Sequence, residues 1–486
     1  MAGSTPQLKP IIPEYRLNVL SDKQLEEIQT ATLEILEDTG IYCPSKKALS
    51  IYAEHGAKVD FETKIVKLPS SVVLEAMSHA PRFYTLGSRS PDHDLILDGT
   101  ATYVATDGTG VETVDFKTNQ RRNSVKADVG RMARVADYLP AVGFYWPMVS
   151  AQDHPETASL HELEASFNNT VKHVQTCTVV EEKTAQYAIE MAKVIAGDME
   201  TLQDRPPVSS LICTIAPLAM DLESMEAALV FAEAGIPVGF MSMACGGLSS
   251  PATVAGTIAV ADAEMVAAMV LVQLASPGAP VYYSLMPSLM DRMTGDFDGG
   301  AWNSDLYSPI GVELAHKWGV PTLAPVGTSA RVSGWISAAG IKATMLAVAL
   351  TGADTASGIG LRETCTLLSQ EALVLDAEFI DMARVDAGGL DTGQEAFSLD
   401  MIKNVGPRGN FLKEKKTRQQ VRELEYSELT KQLSSDGGYR DPIQVARDKT
   451  AWILENHHPK PLEEEKQQEL KLILAAAERE IIQAEK

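Results

Sequence analysis

An aromatic cluster is the first feature of this chain that points to chemistry. Aromatic residues make up only 6% of the 486 residues, yet Phe144, Tyr145 and Trp146 are consecutive. A short polar segment follows them and ends at Asp153. Such a cluster either fills a hydrophobic core or presents its ring faces to a ligand, because aromatic side chains serve both purposes in proteins.

Further aromatic residues follow a later apolar segment. Tyr283 belongs to the run PVYYSLM (280–286), and Phe297 and Trp302 lie in the long segment after it. Aromatic faces attract a soft cation, and each contributes about 0.5–2 kcal/mol when water is excluded. We therefore predict an aromatic cage for a quaternary ammonium ion, formed by Tyr145, Trp146, Tyr283, Phe297 and Trp302. The alternative, which strand alternation favours for about half of the strand residues, is that they fill the core.

Charged residues near these segments suit the other end of such a ligand. A guanidinium group binds a carboxylate through two parallel hydrogen bonds. Arg331 is the first choice for this role and Arg362 the second. Asp153 and Glu363 either tune the site or are structural. No residue is assigned as a general acid or base.

Metal and nucleophile chemistry receives weaker support. Cys177, Cys213 and Cys245 fall near the ends of three successive apolar segments, where thiolates would suit zinc, although buried cysteine is usually a small hydrophobe. His161 and His173 are interpreted as structural hydrogen-bonding residues. The HExxH, P-loop and GxSxG motifs are missing from the sequence, so we expect no metal and no tightly bound cofactor.

Alternating elements are expected to position these residues. From about residue 140, short apolar segments alternate with helical patterns, which predicts βα units around a parallel sheet. The predicted strands are 143–150, 172–178, 207–215, 237–244, 280–286, 321–325 and 354–360. The predicted helices are 155–169, 182–196, 222–234, 251–275, 304–318, 336–351 and 368–386.

These seven units favour an α/β fold, the TIM (β/α)8 barrel, over residues 140–412, since such barrels take roughly 250 residues. The eighth strand stays open between 388–400 and the short strands near 82–104. An open doubly wound sheet is the alternative, but it typically carries a GxGxxG turn, which this sequence lacks. Residues 1–139 are predicted as an N-terminal extension of helices and small strands, and residues 413–486 as a C-terminal helical tail.

Composition limits the classes of partner. The net charge of −23 and the pI near 4.8 disfavour nucleic acid and anionic membranes. The odd count of five cysteines without a CxxC motif indicates a reducing compartment. The N-terminal segment MAGSTPQLKP lacks the features of a signal peptide, and the apolar tract 252–275 contains Asp262 and Glu264. We therefore expect a cytoplasmic protein in which this tract is a buried helix.

Four segments carry a resemblance to a known family. NNTVKHV (168–174), VLDAEFIDM (374–382) and GNFLKEKKTRQQVRELEY (409–426) resemble blocks of the trimethylamine methyltransferase family. DFKTNQRRNSVKAD (115–128) looks like that family's pre-barrel segment, and the resemblance extends over roughly residues 20–475. It implies a (β/α)8 barrel that moves a methyl group from an amine to the Co(I) of a separate corrinoid (cobalamin) protein.

The chain departs from the trimethylamine enzymes in one segment. Those enzymes carry pyrrolysine after the strand that corresponds to 321–325, whereas GTSARVSGWISAAG (327–340) contains only standard residues. The chain therefore resembles the non-pyrrolysine branch, whose members demethylate glycine betaine, proline betaine and carnitine. Glycine betaine is the expected substrate, and Met243, Gly246 and Gly247 are expected to face the corrinoid.

The chemistry of a quaternary amine explains why no acid is needed. Its methyl group is already electrophilic, and its leaving group is a neutral tertiary amine. The nucleophile belongs to the partner's cofactor, so the protein has to orient the methyl group and exclude water.

Several alternatives stay open at this stage. They are demethylation of proline betaine, carnitine or γ-butyrobetaine, a zinc-dependent corrinoid methyltransferase, and a barrel that binds betaines without catalysis. A dinucleotide-dependent oxidoreductase would need the missing glycine pattern. Assembly into a homo-oligomer is also left open.

Overall fold

Parallel strands form the centre of the protein. The computed structural model describes residues 4–295, 297–298, 304–327, 330–424 and 426–484. Within this part of the chain, eight strands share one parallel sheet: β1 (Tyr103–Thr106), β2 (Phe144–Tyr145), β3 (His173–Thr176), β4 (Val208–Cys213), β5 (Val238–Ser242), β6 (Val281–Leu285), β7 (Leu323–Pro325) and β8 (Thr355–Ile359).

The sheet closes on itself as a barrel. The strand order is β6-β5-β4-β3-β2-β1-β8-β7, and a parallel bridge between Tyr283 and Thr322 joins its two ends. The prediction of a (β/α)8 barrel is therefore confirmed. β1 is the strand that the sequence left open, and it comes from the segment near 82–104, not from 388–400. The barrel thus draws on residues that precede position 140.

A helix follows each strand and packs on the outside of the barrel. These helices are α1 (Lys126–Tyr138), α2 (Ala158–Asn169), α3 (Glu182–Ala196), α4 (Leu222–Glu233), α5 (Val254–Ala275), α6 (Tyr307–Trp318), α7 (Trp335–Thr351) and α8 (Ala372–Ala387). Glycines in the left-handed conformation end α6 and α7, at Gly319 and Gly352. In the described part of the chain, α5 is the one helix long and apolar enough to span a membrane, and 78% of its apolar window is buried.

Strand alternation decides which aromatic side chains enter the barrel. Phe144 and Trp146 point inward, where they pack with Leu211, Met241 and the ring of Tyr282. Tyr145 lies between them and points outward to α1. The period of two residues therefore separates neighbours that the sequence cannot tell apart by type.

The N-terminal extension wraps the barrel and seals one end of it. Its helices are Asp22–Glu34, Lys46–Glu54 and Ser70–Ser78, and a small antiparallel sheet contains Ile41–Tyr42, Lys58–Asp60 and Ile65–Lys67. Ser21 and Gln24 form a capping box at the start of the first helix. The hairpin Tyr84–Leu86/Leu95–Leu97 inserts Leu86, Leu95 and Leu97 into the inner cluster of the barrel.

Short strands surround the opposite end, at the carboxyl ends of the barrel strands. One sheet contains Glu112–Val114, Arg121–Asn123, Leu361–Arg362 and Leu367–Leu368, and another contains Cys245–Gly246, Ser288–Met290 and Phe297–Asp298. The tail has helices at Leu399–Val405, Lys415–Glu423, Pro442–Asn456 and Glu464–Ala484, besides the short helix Met199–Asp204 after α3. The helix Pro442–Asn456 packs on α1 and α8, and Glu464–Ala484 packs on α2 and α3.

Candidate active site

A cavity of about 300 Å³ opens at the carboxyl ends of the barrel strands. This is the end at which (β/α)8 barrels carry their active sites. Apolar and sulfur-bearing side chains provide most of its surface, and two carboxylates join them. The lining residues are Asp107, Gly108, Trp146, Cys177, Val180, Cys213, Asp221, Ser224, Met241, Met243, Met286, Pro325, Gly327, Ser357, Gly358, Thr364 and Cys365.

Trp146 is the predicted cage residue that lines this cavity in the described structure. Its backbone is fixed at the end of β2, because its N–H donates to Thr106 Oγ1 (2.9 Å) and its carbonyl accepts from the same hydroxyl (2.7 Å). The indole Nε1 donates to Cys177 Sγ at 3.2 Å. A Cβ at Gly108 would come within 2.6 Å of the indole, so glycine is needed for this close contact. The ring is thereby held in one orientation.

Asp107 places a carboxylate in the same wall. It directly follows β1, and its backbone N–H donates to Ile359 O on β8 at 2.9 Å. Its Oδ1 accepts from Gly108 N at 3.0 Å, and the Cys365 thiol is a further hydrogen-bond partner. Burial raises the pKa of Asp107 to about 6, because no solvent stabilises the charge. The group is therefore largely ionised at neutral pH and is positioned to interact with a cation.

Thiols and thioethers form the rest of the wall. Burial raises the pKa of Cys177 to about 12 and that of Cys213 to about 11, and it raises the pKa of Cys365 well above its ordinary value. Cys213 lines the cavity and is exposed there. These groups are thus neutral, polarisable thiols, which suit a soft cation better than a hard metal ion.

Two glycines hold adjacent strands close together at the cavity. Gly358 has φ +117, and a Cβ there would come within 2.6 Å of Gly327 N. A Cβ at Gly327 would instead lie in ordinary contact, 4.0 Å from Asp107 Oδ2. The space beside the carboxylate therefore exists because both positions lack a side chain.

A smaller cavity of about 50 Å³ adjoins the first and contains Phe297. The two cavities share Met286, Pro325, Gly327, Thr364 and Cys365. Phe297 pairs with Met290 in a short antiparallel ladder, so it lies beside the main cavity and not in its wall. Trp302, another predicted cage residue, lies outside the described residues.

Two predicted cage residues are in the protein interior. Tyr145 is buried against α1, where its hydroxyl donates to Val129 O at 2.9 Å. Tyr283 is buried between the barrel and its helices, and its hydroxyl donates to Asp262 Oδ1 at 2.7 Å. Alternation places Tyr282 inside the barrel instead, with its hydroxyl on Ser210 O at 2.8 Å. The interpretation of Tyr145 and Tyr283 as cage residues is corrected accordingly.

Neither predicted carboxylate partner lines the cavity. Arg362 is 1% exposed and makes a bidentate ion pair with Asp376, with nitrogen–oxygen distances of 2.8 and 2.9 Å. It also donates to Leu361 O, so its donors are committed to fixing α8 on the loop after β8. Arg331 is exposed on the loop after β7, next to Ala330, whose carbonyl accepts from Glu363 N.

The other predicted polar residues have structural contacts. Asp153 Oδ1 accepts from Lys126 N at 2.7 Å, at the start of α1. Glu363 pairs with Arg121 at 2.9 Å. His173 bridges Gly87 O and Ser209 Oγ, and His161 bonds Glu478 in the last helix.

The segment predicted to face a corrinoid lies on the loop after β5. Met243 lines the cavity and is 37% exposed. Gly246 pairs with Leu289, and Gly247 has φ +92 in a turn whose N–H donates to Ser250 O. The segment GGLSS (246–250) thus forms a turn at the mouth of the barrel.

The thiols do not assemble into a metal-binding group in the described structure. Cys365 accompanies Cys177 and Cys213 in the wall, whereas Cys245 pairs with Ser288 outside it. Among the described residues, the group whose ligand atoms come within 4.8 Å of one another is His154, His161 and Glu478. The zinc alternative therefore gains no support from the cavity.

The sequence missed Asp107 and Cys365. Asp107 lies in the turn-rich segment TDGTG (106–110), directly after β1, the strand that the sequence left open. A carboxylate directly after a barrel strand is the signal that would have identified Asp107.

The fold and the cavity define a (β/α)8-barrel protein with a small-molecule site at the mouth of the barrel. Comparison with known proteins specifies the class further. The chain belongs to the trimethylamine methyltransferase family, whose sequence profile matches residues 2–481.

Its similarity to individual relatives extends over nearly the whole chain. It is 33% identical over 472 residues to the trimethylamine methyltransferase of Desulfitobacterium hafniense DCB-2, covering 96% of this chain and 95% of the relative. It is 28% identical over 481 residues to the glycine betaine methyltransferase of D. hafniense Y51, covering 97% and 99%. The protein is accordingly a methyltransferase. The monomethylamine methyltransferase of Methanosarcina barkeri shares the fold, with a TM-score of 0.55 at 11% identity, over 90% of this chain and 88% of that one.

Proposed function

We propose that this protein transfers a methyl group from a quaternary amine to the Co(I) of a corrinoid partner protein. The observation that carries the proposal is the cavity wall, in which the ring of Trp146 and the carboxylate of Asp107 accompany thiols and thioethers. A quaternary ammonium ion needs both features, since it gives no hydrogen bond and is held by ring faces and by charge.

The wall also fits the course of the reaction. The attacking metal centre is electron-rich and the methyl donor is cationic. The positive charge on the donor is therefore reduced as the methyl group moves to the metal. A water-poor site favours such a transition state. The residues of this chain orient the methyl group and exclude water, and the leaving tertiary amine needs no proton donor.

An apolar rim supports the docking of a partner protein. Exposed large apolar side chains lie on several loops at this end of the barrel and at the start of α7: Val111, Ile215, Met243, Leu248, Met293, Val332 and Ile336. Exposed large apolar side chains at one end of a protein are typical of a protein interface. We propose that the corrinoid protein binds this apolar rim and thereby presents its cobalt to the cavity.

We also propose that the protein forms a homo-oligomer through residues 399–424, the tail arm. Its helices contain no buried residue, and it exposes Leu399, Ile402, Phe411, Leu412, Val421 and Leu424. The tail arm has seven basic and three acidic residues in a chain of net charge −23. Its charge therefore complements the acidic surface of a second copy.

Methyl transfer can be followed by absorbance. The protein is mixed with a Co(I) corrinoid protein and one quaternary amine at a time, and the spectral change on methylation of the corrinoid is recorded. A signal with a quaternary amine supports the proposal. A signal only with a methylated thiol, an alcohol or a tertiary amine contradicts it.

A further inference from the structure

The charged side chains that line the cavity in the described structure are all acidic. The two carboxylates belong to Asp107 and Asp221, and Asp221 is already engaged because it caps α4 and accepts from Ser224 N at 3.0 Å. The wall formed by the described residues includes no lysine, arginine or histidine. The residues between positions 291 and 330 that the structure does not describe, 296, 299–303 and 328–329, are Asp, Gly, Gly, Ala, Trp, Asn, Thr and Ser in the sequence. They bring no basic side chain either.

The two arginines that the sequence predicted as carboxylate partners do not alter this balance. Arg362 is buried and its guanidinium is held by Asp376 on two sides, so it cannot turn to a ligand without leaving that carboxylate unpaired. Arg331 is exposed to solvent beyond the wall.

A carboxylate on the ligand would be badly placed in such a cavity. Its neighbours would be neutral thiols, thioethers and the ionised Asp107, and an anion buried without a partner loses several kcal/mol of hydration. Repulsion from Asp107 adds to this cost, since like charges within a poorly hydrated site interact strongly. Neutral hydroxyls are present at Ser357 and Thr364. They can bond an uncharged polar tail.

We infer that the substrate is a quaternary ammonium ion whose nitrogen carries its only charge, such as choline or tetramethylammonium, and not a zwitterionic betaine. This inference rests on the proposed function and narrows its substrate class. It replaces the expectation of glycine betaine, which needed an arginine in the wall. The cavity, at about 300 Å³, lies at the small end of the range for ligand pockets and suits an ion of this size.

Calorimetric titration of the full-length protein tests the inference with three probes: choline, tetramethylammonium and glycine betaine. We expect choline or tetramethylammonium to bind at least tenfold more tightly than glycine betaine. Asp107→Asn should lower the affinity for choline at least tenfold while leaving that for glycine betaine unchanged or improved. Glu156→Gln, which removes an exposed carboxylate from the loop after β2, is the matched control for the loss of one negative charge.

Two outcomes overturn the inference. Glycine betaine could bind as tightly as choline, or Arg331→Gln could selectively weaken glycine betaine, which would show that an arginine from outside the wall holds a carboxylate.

The methyl-transfer assay, run with the same three compounds, separates this failure from that of the proposed function. Transfer from glycine betaine but not from choline removes only the narrower substrate class. If none of the three donates a methyl group to the corrinoid protein while a methylated thiol does, the proposed function itself fails.

Discussion

The indole of Trp146 has two roles that can be separated by substitution. It presents a ring face to the cavity and donates a hydrogen bond to Cys177. Trp146→Phe keeps a ring face, whereas Trp146→Leu keeps only apolar volume. We expect affinity for a quaternary amine to fall about three- to tenfold in the first variant and more than tenfold in the second, in line with about 0.5–2 kcal/mol per ring face. Titration with tetramethylammonium measures both, and equal affinities in the two variants would contradict a cation–π role.

The carboxylate of Asp107 predicts how binding depends on pH. Its pKa is raised to about 6 by burial, and a bound cation favours the ionised form and so lowers this pKa. Affinity should therefore rise as the pH increases through about 6 and level off above it. Dissociation constants measured between pH 5 and 8 test this, with Asp107→Asn expected to give a flat profile. A flat profile in the wild-type protein would mean that Asp107 does not face the cation.

The absence of a side chain at Gly327 predicts a steric effect. A methyl group there meets no atom closer than 3.6 Å, so Gly327→Ala should fold normally and narrow the space beside Asp107. We expect at least a fivefold loss of affinity for quaternary amines with an unchanged melting temperature. Gly340→Ala is the matched control, because that glycine lies in α7 with open space around it and alanine favours a helix.

At the scale of elements, the sequence predicted most of the barrel. Seven predicted strands and their helices match β2 to β8 and α2 to α8, because apolar runs and amphipathic patterns are local signals. The sequence did not identify β1 as a barrel strand because Tyr103–Thr106 is short and polar at both ends. Two extra strands also separate it from the regular alternation. One of its neighbours in the sheet, β8, is distant in sequence, so the closed sheet is needed to identify it.

The site was less predictable for the same reason. Which of Tyr282 and Tyr283 faces inward depends on the register of β6, and a shift of one residue exchanges them. The sequence predicts Arg362 as a partner for a ligand carboxylate, but in the structure it pairs with Asp376, which belongs to a different element. Residue type therefore indicated the chemistry, and pairing between distant elements decided which residues were free to perform it.

Asp262 connects three elements through one buried carboxylate. It accepts from Thr32 in the first helix, from Tyr283 on β6 and from Trp318 on α6. Burial raises its pKa to about 6 in the folded protein, above the value of about 4 expected when unfolded. The folded state therefore binds the proton more tightly, and the stability gained from this group is full below pH 4 and lost as the pH rises through 6.

Asp262→Asn should remove this part of the pH dependence. The free energy of unfolding of the wild type should fall between pH 4.5 and 7 more steeply than that of the variant. The variant should also lose about 1–3 kcal/mol, because an amide cannot accept all of these hydrogen bonds. Denaturant titrations at several pH values measure both effects, with Asp391→Asn, an exposed residue, as the control. Parallel pH profiles would contradict the account.

At the scale of the whole molecule, the proposed tail-arm interface predicts a defined oligomer. Leu412→Asp combined with Leu424→Asp should disperse it, because both side chains are exposed on the tail arm and neither supports the core. Light scattering after gel filtration should show a fall in mass to about 52 kDa with unchanged circular dichroism. Phe61→Asp, in an exposed turn of the N-terminal extension, should leave the mass as it is. A wild-type protein that is already monomeric would refute the proposed assembly.

The apolar rim predicts a separation of partner docking from ligand binding. Leu248 is exposed on the loop after β5 and does not line the cavity, so Leu248→Lys changes the rim and leaves the cavity wall as it is. Transfer to the corrinoid protein should slow at least tenfold at low partner concentration, while the affinity for choline stays the same. Equal transfer rates in the variant and the wild type would place the partner elsewhere.

The hairpin of Leu86, Leu95 and Leu97 fills one end of the barrel. In the described structure, ligands therefore enter and leave the cavity through the mouth at the opposite end. Substrate and product therefore pass through the same opening, one after the other. Under the proposed function, the amine enters before the acceptor protein covers the opening, and the demethylated product leaves only after that protein departs. Turnover should then pass through a maximum as acceptor concentration is increased, since an acceptor that rebinds too soon blocks the exit.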